Sequence, residues 1–237
     1  MLAEKEGGNL RGWIRGATLA IPIVVGYIPI GLAFGVLAIK AGLSSSNTMF
    51  LSLIVYAGSS QLIAVGLFEA HAPAIAIILM TFVVNLRHLL MSAAISPHLR
   101  GWKKSEIAGF AFQLTDETFA LHSAGFAAGP RSKTEVFGLN IATQAGWLLG
   151  TWLGLTAGQF VGDVETLALD YALPAMFLAL LVLQIKDRSH VFIAILTGIL
   201  SVAFSMGGVQ QWNVILATLA GATLGVMVEH WTKKASS

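Results

Sequence analysis

The residues of this chain most capable of chemistry are Asn85 to His88, which interrupt an apolar run extending from Pro73 to Ile95. A guanidinium keeps its proton at ordinary pH, so an arginine inside a membrane must face protein or water and find an anionic or carbonyl partner. The best supply of carboxylate is Asp116 and Glu117, which lie in the next apolar run. We therefore expect side chains of opposite charge to meet in the interior, as in a transport pathway.

Within this first group, Asn85 and His88 are three residues apart and share one face of a helix with Ser92. Arg87 points away from Asn85, so the two side chains are expected to make different contacts. The alternative for Arg87 is a structural clamp on a carboxylate. For His88, a proton relay competes with an ordinary buried, hydrogen-bonded histidine.

The second group is Gln113, Asp116 and Glu117, whose spacing predicts one face of a helix. A second carboxylate disfavours ionisation while a nearby arginine favours it, and this competition suits a site that takes up and releases a proton. A solvated interfacial helix is the alternative.

Two further sets of residues predict substrate contacts. The sequence Gly58-Ser59-Ser60-Gln61 places small and polar residues among Leu, Ile and Val, where the backbone is expected to unwind and face a cavity. Earlier in the chain, Gly26 and Pro29 favour either a broken helix with free backbone groups or a kinked packing helix. Gly31 and Gly35 form a G-x-x-x-G pair that permits close helix contact.

The composition places these residues in an integral membrane protein. The 237 residues are 56% hydrophobic and 11% charged, with a mean hydropathy of +0.77, whereas a soluble domain carries about 25% charged residues. The absence of cysteine excludes disulfides, thiolate catalysis and cysteine-ligated metals. A net charge of +2 is too small to indicate nucleic-acid binding. We expect neither a metal nor a cofactor.

The predicted fold is an all-α, polytopic membrane helix bundle of seven or eight segments forming a single domain over residues 1–237. The segments are 18–39, 48–68, 73–95, 106–128, 135–160, 168–185, 189–206 and 212–229. Eight crossings with both ends inside would put Arg100, Lys103 and Lys104 outside, against the positive-inside rule. Leu-Arg-Gly-Trp also occurs at both 10–13 and 99–102, which indicates a shared interface. The alternative is that 48–68 is re-entrant and 106–128 does not cross. Two related halves, 18–128 and 135–229, with broken helices are a further expectation.

The chain resembles the AzlC family, the large subunit of branched-chain amino acid exporters. The matching residues, in order, are Gly26-Tyr-Ile-Pro29, Ala57-Gly-Ser-Ser-Gln61, Asn85-Leu-Arg-His88 with Leu89-Leu90, and Leu114-Thr-Asp-Glu117. In two places the pattern differs. Met91-Ser92 replaces a Tyr-Gly pair, and Leu62 replaces an aromatic residue; we expect these differences to affect the substrate range.

The resemblance implies export of valine, leucine, isoleucine and methionine across a bacterial cytoplasmic (inner) membrane, together with a small AzlD-type membrane subunit. Proton exchange is the expected energy source, because the chain lacks a G-x-x-x-x-G-K-[ST] phosphate loop. The expected function is therefore a secondary transporter and not an enzyme. Other possibilities are an intramembrane serine hydrolase built on Ser60, a passive channel, and a non-catalytic assembly subunit.

Overall fold

The structure, a computed structural model, describes residues 2–158 and then 160, 171, 175, 178, 181–182, 185, 187–208, 216–217 and 220–225, with side chains from residue 9 onward. Within these residues every regular element is helical, which confirms the predicted all-α class. Three of the described helices are long and apolar enough to cross a membrane: Asn9–Lys40, Ala74–Leu99 and Arg188–Met206. The chain divides into two compact units, Met1–Phe177 and Leu178–Ser237.

The described residues of the first unit form seven α-helices. They are α1 (Leu2–Lys40), α2 (Ser45–Phe50), α3 (Gly58–Glu69), α4 (Ala74–Ile95), α5 (Lys104–Phe112), α6 (Asp116–Ala128) and α7 (Lys133–Ala157). A π-helical segment, Leu51–Val55, continues α2, and a 3₁₀ turn, Ser96–Leu99, continues α4.

Helices α1 and α7 are parallel and packed closely along their length. A Cβ added to Gly16 would meet the backbone of Glu135, near the start of α7, and one added to Gly35 would lie 2.5 Å from the carbonyl oxygen of Thr151. Glycine is therefore needed where the two backbones touch, as the G-x-x-x-G pair predicts. Despite two internal prolines, α1 is continuous from Leu2 to Lys40. The broken-helix interpretation of this segment is wrong, and the packing interpretation is correct.

The segment 48–68 is a hairpin, hereafter hairpin 1 (Ser45–Glu69), formed by α2, the π-helical segment and α3. Its first arm lies beside the C-terminal half of α7, where Ser52 Oγ is 2.8 Å from Thr151 Oγ1. The chain turns at Tyr56, which adopts a left-handed conformation with φ of 42°. Its second arm, α3, runs antiparallel to α4, with Ser60 beside Asn85. Helix α4 continues from Asn85 towards the start of α7. The antiparallel α3 therefore runs back towards the C-terminal end of α7, where α2 also begins.

The segment 106–128 forms hairpin 2 (Lys104–Ala128) from the opposite end. Lys133 Nζ, at the start of α7, is 2.5 Å from Glu106 Oε2 in α5. The chain turns at Gln113–Thr115, level with the middle of α7, and α6 then returns towards the start of α7. There Arg131 donates to the carbonyl oxygen of Leu121.

Both hairpins therefore return to the side from which they entered, which favours the re-entrant alternative over eight complete crossings. In this arrangement Arg100, Lys103 and Lys104 lie at the same end of α7 as Arg11 and Arg15, so they no longer conflict with the positive-inside rule. Both Leu-Arg-Gly-Trp sequences also lie at this end, as expected, since Trp13 contacts Gly138 and Trp102 lies under Lys133.

A hydrophobic cluster joins hairpin 2 to the ends of α4 and α7. Its buried members are Met91, Ile95, Leu99, Phe110, Leu114 and Val136. These side chains fix the depth of α5 and hence the position of the turn at Gln113–Thr115.

In the second unit, α8 (Arg188–Met206) matches the predicted segment 189–206. Asp187 caps it by accepting a 3.0 Å hydrogen bond from the backbone N–H of His190. Thr197 and Ile193 face Gly221 and Gly225, so α8 packs antiparallel to the helical residues 220–225. Most of segments 168–185 and 212–229, and with them part of the predicted second half, lie outside the described residues.

Candidate functional site

The turns of the two hairpins meet around Arg87 of α4. Arg87 Nη1 is 2.9 Å from Asp116 Oδ2 in hairpin 2, and Arg87 Nη2 donates to Ser59 Oγ in hairpin 1. The two charged side chains are 26% and 20% exposed. The structure thus brings Arg87 and Asp116 together in the interior, as expected from the sequence.

The turn of hairpin 1 is fixed by its own polar side chains. Gln61 accepts a hydrogen bond from the Ala57 N–H at 3.2 Å and donates to Ser52 Oγ at 3.3 Å. Ser60 donates to the Ala57 carbonyl oxygen at 2.9 Å and accepts from Asn85 Nδ2 at 3.1 Å. The predicted unwinding occurs at Tyr56 and Ala57, one turn before these side chains, which belong to the start of α3.

The N-terminus of α3 has no side-chain cap. The N–H groups of its first turn therefore lack a helical partner, and the helix dipole adds a partial positive charge there. Ser59, in this turn, contacts Arg87, so the uncapped end and the guanidinium lie together. This combination favours an anionic group.

The N-terminus of α6 has the opposite character. Thr115 caps it by accepting from the Thr118 N–H at 3.3 Å, and its first turn contains Asp116 and Glu117. Because the helix begins at Asp116, Gln113 belongs to the end of α5. The prediction that Gln113, Asp116 and Glu117 share one helical face is wrong, since the cap at Thr115 breaks the segment between them.

Glu117 faces α1 instead of Arg87. Tyr27 Oη donates to Glu117 Oε2 at 2.6 Å and lies 2.7 Å from Thr115 Oγ1. Since a tyrosine has one hydroxyl proton, Thr115 is the donor in the second contact. The two carboxylates of this turn are therefore held by different elements, Asp116 by α4 and Glu117 by α1.

Gln144 of α7 bridges the first arms of the two hairpins. It accepts from Gln113 Nε2 at 2.8 Å and donates to the Leu53 carbonyl oxygen at 3.2 Å. The preceding residue of the same helix, Thr143, accepts a 3.2 Å hydrogen bond from Tyr56 Oη. The turns are thus joined twice, through Arg87 on one side and Gln144 on the other.

Several buried polar atoms around these turns lack a hydrogen-bond partner within the described part of the protein. They are Asn85 Oδ1, Arg87 Nε, His88 Nε2 and Trp147 Nε1. Trp147 is 2% exposed, packs against Gly58, and meets the Tyr27 ring edge-on at 5.6 Å. Buried polar groups are nearly always satisfied, so their concentration at one place indicates a site for water or a ligand.

The remaining predicted residues occupy less central positions. Gly26 and Pro29 lie on the exposed side of α1, whereas Tyr27 between them points towards the site. Tyr27 was not predicted from the sequence as a site residue, and neither was His122, which is fully buried and whose Nε2 is 2.7 Å from Asn140 Oδ1.

The polar face of α7 was likewise not predicted from the sequence. Asn140, Thr143, Gln144 and Trp147 recur at helical spacing, and this periodicity was the available signal. Among the residues that the structure describes, no three His, Asp or Glu side chains are grouped as a metal site requires.

Comparison with known proteins identifies the family to which the sequence is similar. The family model described as AzlC protein matches residues 22–161, which span both hairpins and α7. An uncharacterized membrane protein of Archaeoglobus fulgidus is 35% identical over 89% of this chain and 92% of its own length. The inner membrane protein YgaZ of Escherichia coli is 30% identical over 91% and 88%, respectively.

A third relative has a functional name. The branched-chain amino acid transport protein AzlC of Bacillus subtilis is 29% identical over 77% of this chain and 72% of its own length. No solved structure matches the chain. The apolar helices and these relatives make the chain a multi-pass protein of the cytoplasmic membrane, and the matched model makes it a member of the AzlC family.

Proposed function

We infer that this chain is a secondary transporter that exports aliphatic amino acids, valine, leucine and isoleucine among them, and binds them between the two hairpin turns. The observation that carries this proposal is the pairing of an uncapped helix N-terminus with a carboxylate across Arg87. A zwitterionic amino acid carries both complementary charges. The name of the Bacillus subtilis relative supports the same class of substrate.

The carboxylate of the substrate would bind the free N–H groups at the start of α3, with the Ser59 hydroxyl beside them. Its ammonium group would bind Asp116, for which it competes with Arg87. Ser60, Gln61 and part of Asn85 are already engaged in the turn of hairpin 1. In this proposal they shape the site, and the free Oδ1 of Asn85 is available to the ammonium.

The aliphatic side chain of the substrate would lie against the aromatic rings of Tyr27 and Trp147. An apolar surface separates substrates that differ by one methylene by only about 1–3 kcal/mol. Broad acceptance of aliphatic side chains follows. Gly26 and Pro29 would contribute through the position that they give Tyr27.

The pair formed by Arg87 and Asp116 supplies a means of coupling to protons. While the guanidinium holds Asp116, its charge balances that of the carboxylate. Displacement of Arg87 by the substrate would leave the carboxylate free to exchange a proton. Exchange of a proton at Asp116 or Glu117 for the substrate would then shift the balance between the inward-facing and outward-facing states of the transporter. His88 lies on the same helix as Arg87, and its Nε2 has no hydrogen-bond partner in the described part of the chain; it is the third group proposed for this path.

The small AzlD-type subunit expected from the family resemblance remains part of this proposal. The apolar surface of α4 is available to a membrane partner or to lipid, since Leu89 and Leu90 are 69% and 72% exposed. Coexpression with the small subunit therefore belongs in any assay of transport.

The serine-hydrolase alternative receives no support from the geometry. The partners of Ser59 and Ser60 are Arg87, Asn85 and the Ala57 carbonyl oxygen instead of a histidine. A serine nucleophile requires a base within hydrogen-bond reach. Transport is thus the function that the site supports best.

The direct experiment measures efflux of radiolabelled leucine from preloaded cells that express the chain with the small subunit. Asp116→Asn removes the charge that would bind the ammonium group, and we expect efflux to fall at least about tenfold, as when a charged hydrogen bond is lost from a desolvated site. Thr81→Val is the matched control, because Thr81 bonds only to the carbonyls of its own helix.

Wild-type efflux by Asp116→Asn, at wild-type abundance in the membrane, would refute the binding site proposed here. If the wild-type protein exports no leucine but does export another class of substrate, the choice of aliphatic amino acids is refuted.

A further inference from the structure

We propose that hairpin 1 with α4 and hairpin 2 with α7 form an inverted repeat whose hairpins are gates on opposite sides of the membrane. Each gate is held closed by one amide hydrogen bond, hereafter its latch: Asn85 to Ser60 for hairpin 1 and Gln113 to Gln144 for hairpin 2. The inference deepens the proposed function, since a gate presupposes a transported substrate. The gates can be tested without a substrate, so the gate arrangement and the proposed transport function can be refuted separately.

The element boundaries provide the first argument. The first arms of the hairpins begin at Ser45 and Lys104, the second arms at Gly58 and Asp116, and the following long helices at Ala74 and Lys133. All three pairs are separated by a nearly constant offset of about 59 residues, as in a duplicated unit.

The direction of the elements provides the second argument. Hairpin 1 enters at the C-terminal end of α7, where Ser52 meets Thr151, and hairpin 2 enters at the N-terminal end, where Glu106 meets Lys133. Helix α4 is antiparallel to α7, because its final residues pack against Val136. Two copies of the same motif therefore have opposite orientations, as a two-fold axis in the membrane plane requires.

The sequence at the middle of the two long helices provides the third argument. Asn85-Leu-Arg-His88-Leu-Leu in α4 corresponds to Gln144-Ala-Gly-Trp147-Leu-Leu in α7 at the same offset. In both copies a side-chain amide precedes a ring by three residues. Neither ring nitrogen, His88 Nε2 or Trp147 Nε1, has a hydrogen-bond partner among the residues that the structure describes. This repeat differs from the two related halves, 18–128 and 135–229, expected from the sequence.

Each amide bonds to the hairpin that precedes its helix, although the two bonded hairpin positions are not related by the offset. Asn85 donates to Ser60 of hairpin 1, and Gln144 accepts from Gln113 of hairpin 2. Each bond ties a hairpin turn to the long helix that follows it in the chain. Hairpin 1 closes the site towards the C-terminal end of α7, and hairpin 2 closes it towards the N-terminal end. Loss of one latch should therefore favour opening to one side only.

The absence of cysteine allows this to be measured with a single probe. Ala57→Cys places a thiol in the turn of hairpin 1, at a residue that is 3% exposed. A membrane-impermeant maleimide is applied to right-side-out and inside-out vesicles. Gln113→Leu should increase labelling from the N-terminal side of α7, and Asn85→Leu from the C-terminal side. We expect labelling to increase about fivefold in each case, which is the population shift produced by loss of one ordinary hydrogen bond.

Thr81→Val is the control, with no change expected from either side. Should a leucine variant fail to fold, Gln113→Ala and Ser60→Ala remove the same two bonds without a bulky apolar side chain. Opposite sidedness of the two variants supports the proposal. Increased labelling from one common side, or unchanged labelling in well-folded variants, overturns it.

Discussion

At the scale of the residue, the central feature is that Arg87 contacts both hairpin turns. The arginine and its partner Asp116 are mostly sheltered, with 26% and 20% of their side chains exposed. Removal of one partner from such a pair leaves an uncompensated charge, which costs more than removal of both. Arg87 is thus as much a structural link as a functional group.

The corresponding prediction concerns stability in detergent. Arg87→Met should destabilise the protein by roughly 2 kcal/mol or more, because Asp116 loses its countercharge. Arg87→Met combined with Asp116→Leu should recover most of this loss. The measurement is the midpoint of thermal unfolding for the two single variants and the double variant. Additive losses would contradict a direct interaction between the two side chains.

The sequence was sufficient to predict that Arg87 and Asp116 meet, because an arginine in an apolar segment needs an anion and few are available. It did not predict which acid takes which partner. Asp116 and Glu117 are adjacent in sequence, yet Tyr27 of α1 holds Glu117. That assignment depends on the depth at which α1 passes hairpin 2, and depth is a property of packing.

At the scale of the element, glycines decide how α1 and α7 approach. A Cβ at Gly35 would lie 2.9 Å from the Cα of Gly154, whereas a Cβ at Gly26 would meet nothing within 4 Å. We therefore expect Gly35→Ala to destabilise the protein by about 1–3 kcal/mol through overpacking. Gly26→Ala on the same helix is the matched control and should be neutral or stabilising, because alanine has the higher helix propensity.

Thermal unfolding of the two variants in the same detergent distinguishes the positions. Equal midpoints for Gly35→Ala and Gly26→Ala would show that α1 and α7 are not in backbone contact at Gly35.

A second prediction at this scale concerns the link between α5 and α7. The hydrogen bond from Lys133, followed by that from the Lys103 N–H, holds the pKa of Glu106 below its ordinary value. A carboxyl group with a lowered pKa stabilises the folded state above its unfolded pKa, and the contribution disappears as the pH falls through the folded pKa.

Glu106→Gln should therefore unfold at a lower temperature than the wild type near neutral pH, and the difference should vanish in acid. The check is a series of unfolding midpoints at decreasing pH for the two proteins. A difference that persists below the folded pKa would show that the charge of Glu106 is not the cause.

Hairpin boundaries illustrate what could be derived at the element scale. The polar residues Gly58 to Gln61 correctly indicated a break in the second segment, because unwound backbone needs polar surroundings. In the fourth segment the helical spacing of Gln113, Asp116 and Glu117 was misleading. Thr115-Asp116-Glu117 carries the alternative signal, since a threonine followed by acidic residues is typical of a helix N-terminus.

At the scale of the whole molecule, charge and topology agree once both hairpins are re-entrant. In the described part of the chain, Arg11, Arg15, Arg100, Arg131 and Lys133 lie at the N-terminal end of α7. The sequence already contained this information as an apparent violation of the positive-inside rule and as two copies of Leu-Arg-Gly-Trp. Hydropathy alone could not resolve it, because a hairpin and a straight span have similar lengths and composition.

The most direct test of this account asks on which side the ends of each hairpin lie. Single cysteines at Ser46 and Ala70 flank hairpin 1, and single cysteines at Ser105 and Ala128 flank hairpin 2; all four positions are exposed. With an impermeant maleimide on oriented vesicles, both ends of hairpin 1 should be labelled from one side and both ends of hairpin 2 from the other. Labelling of Ser46→Cys and Ala70→Cys from opposite sides would contradict the account, because hairpin 1 would then cross the membrane and its turn would not meet Arg87 and Asp116 from one side.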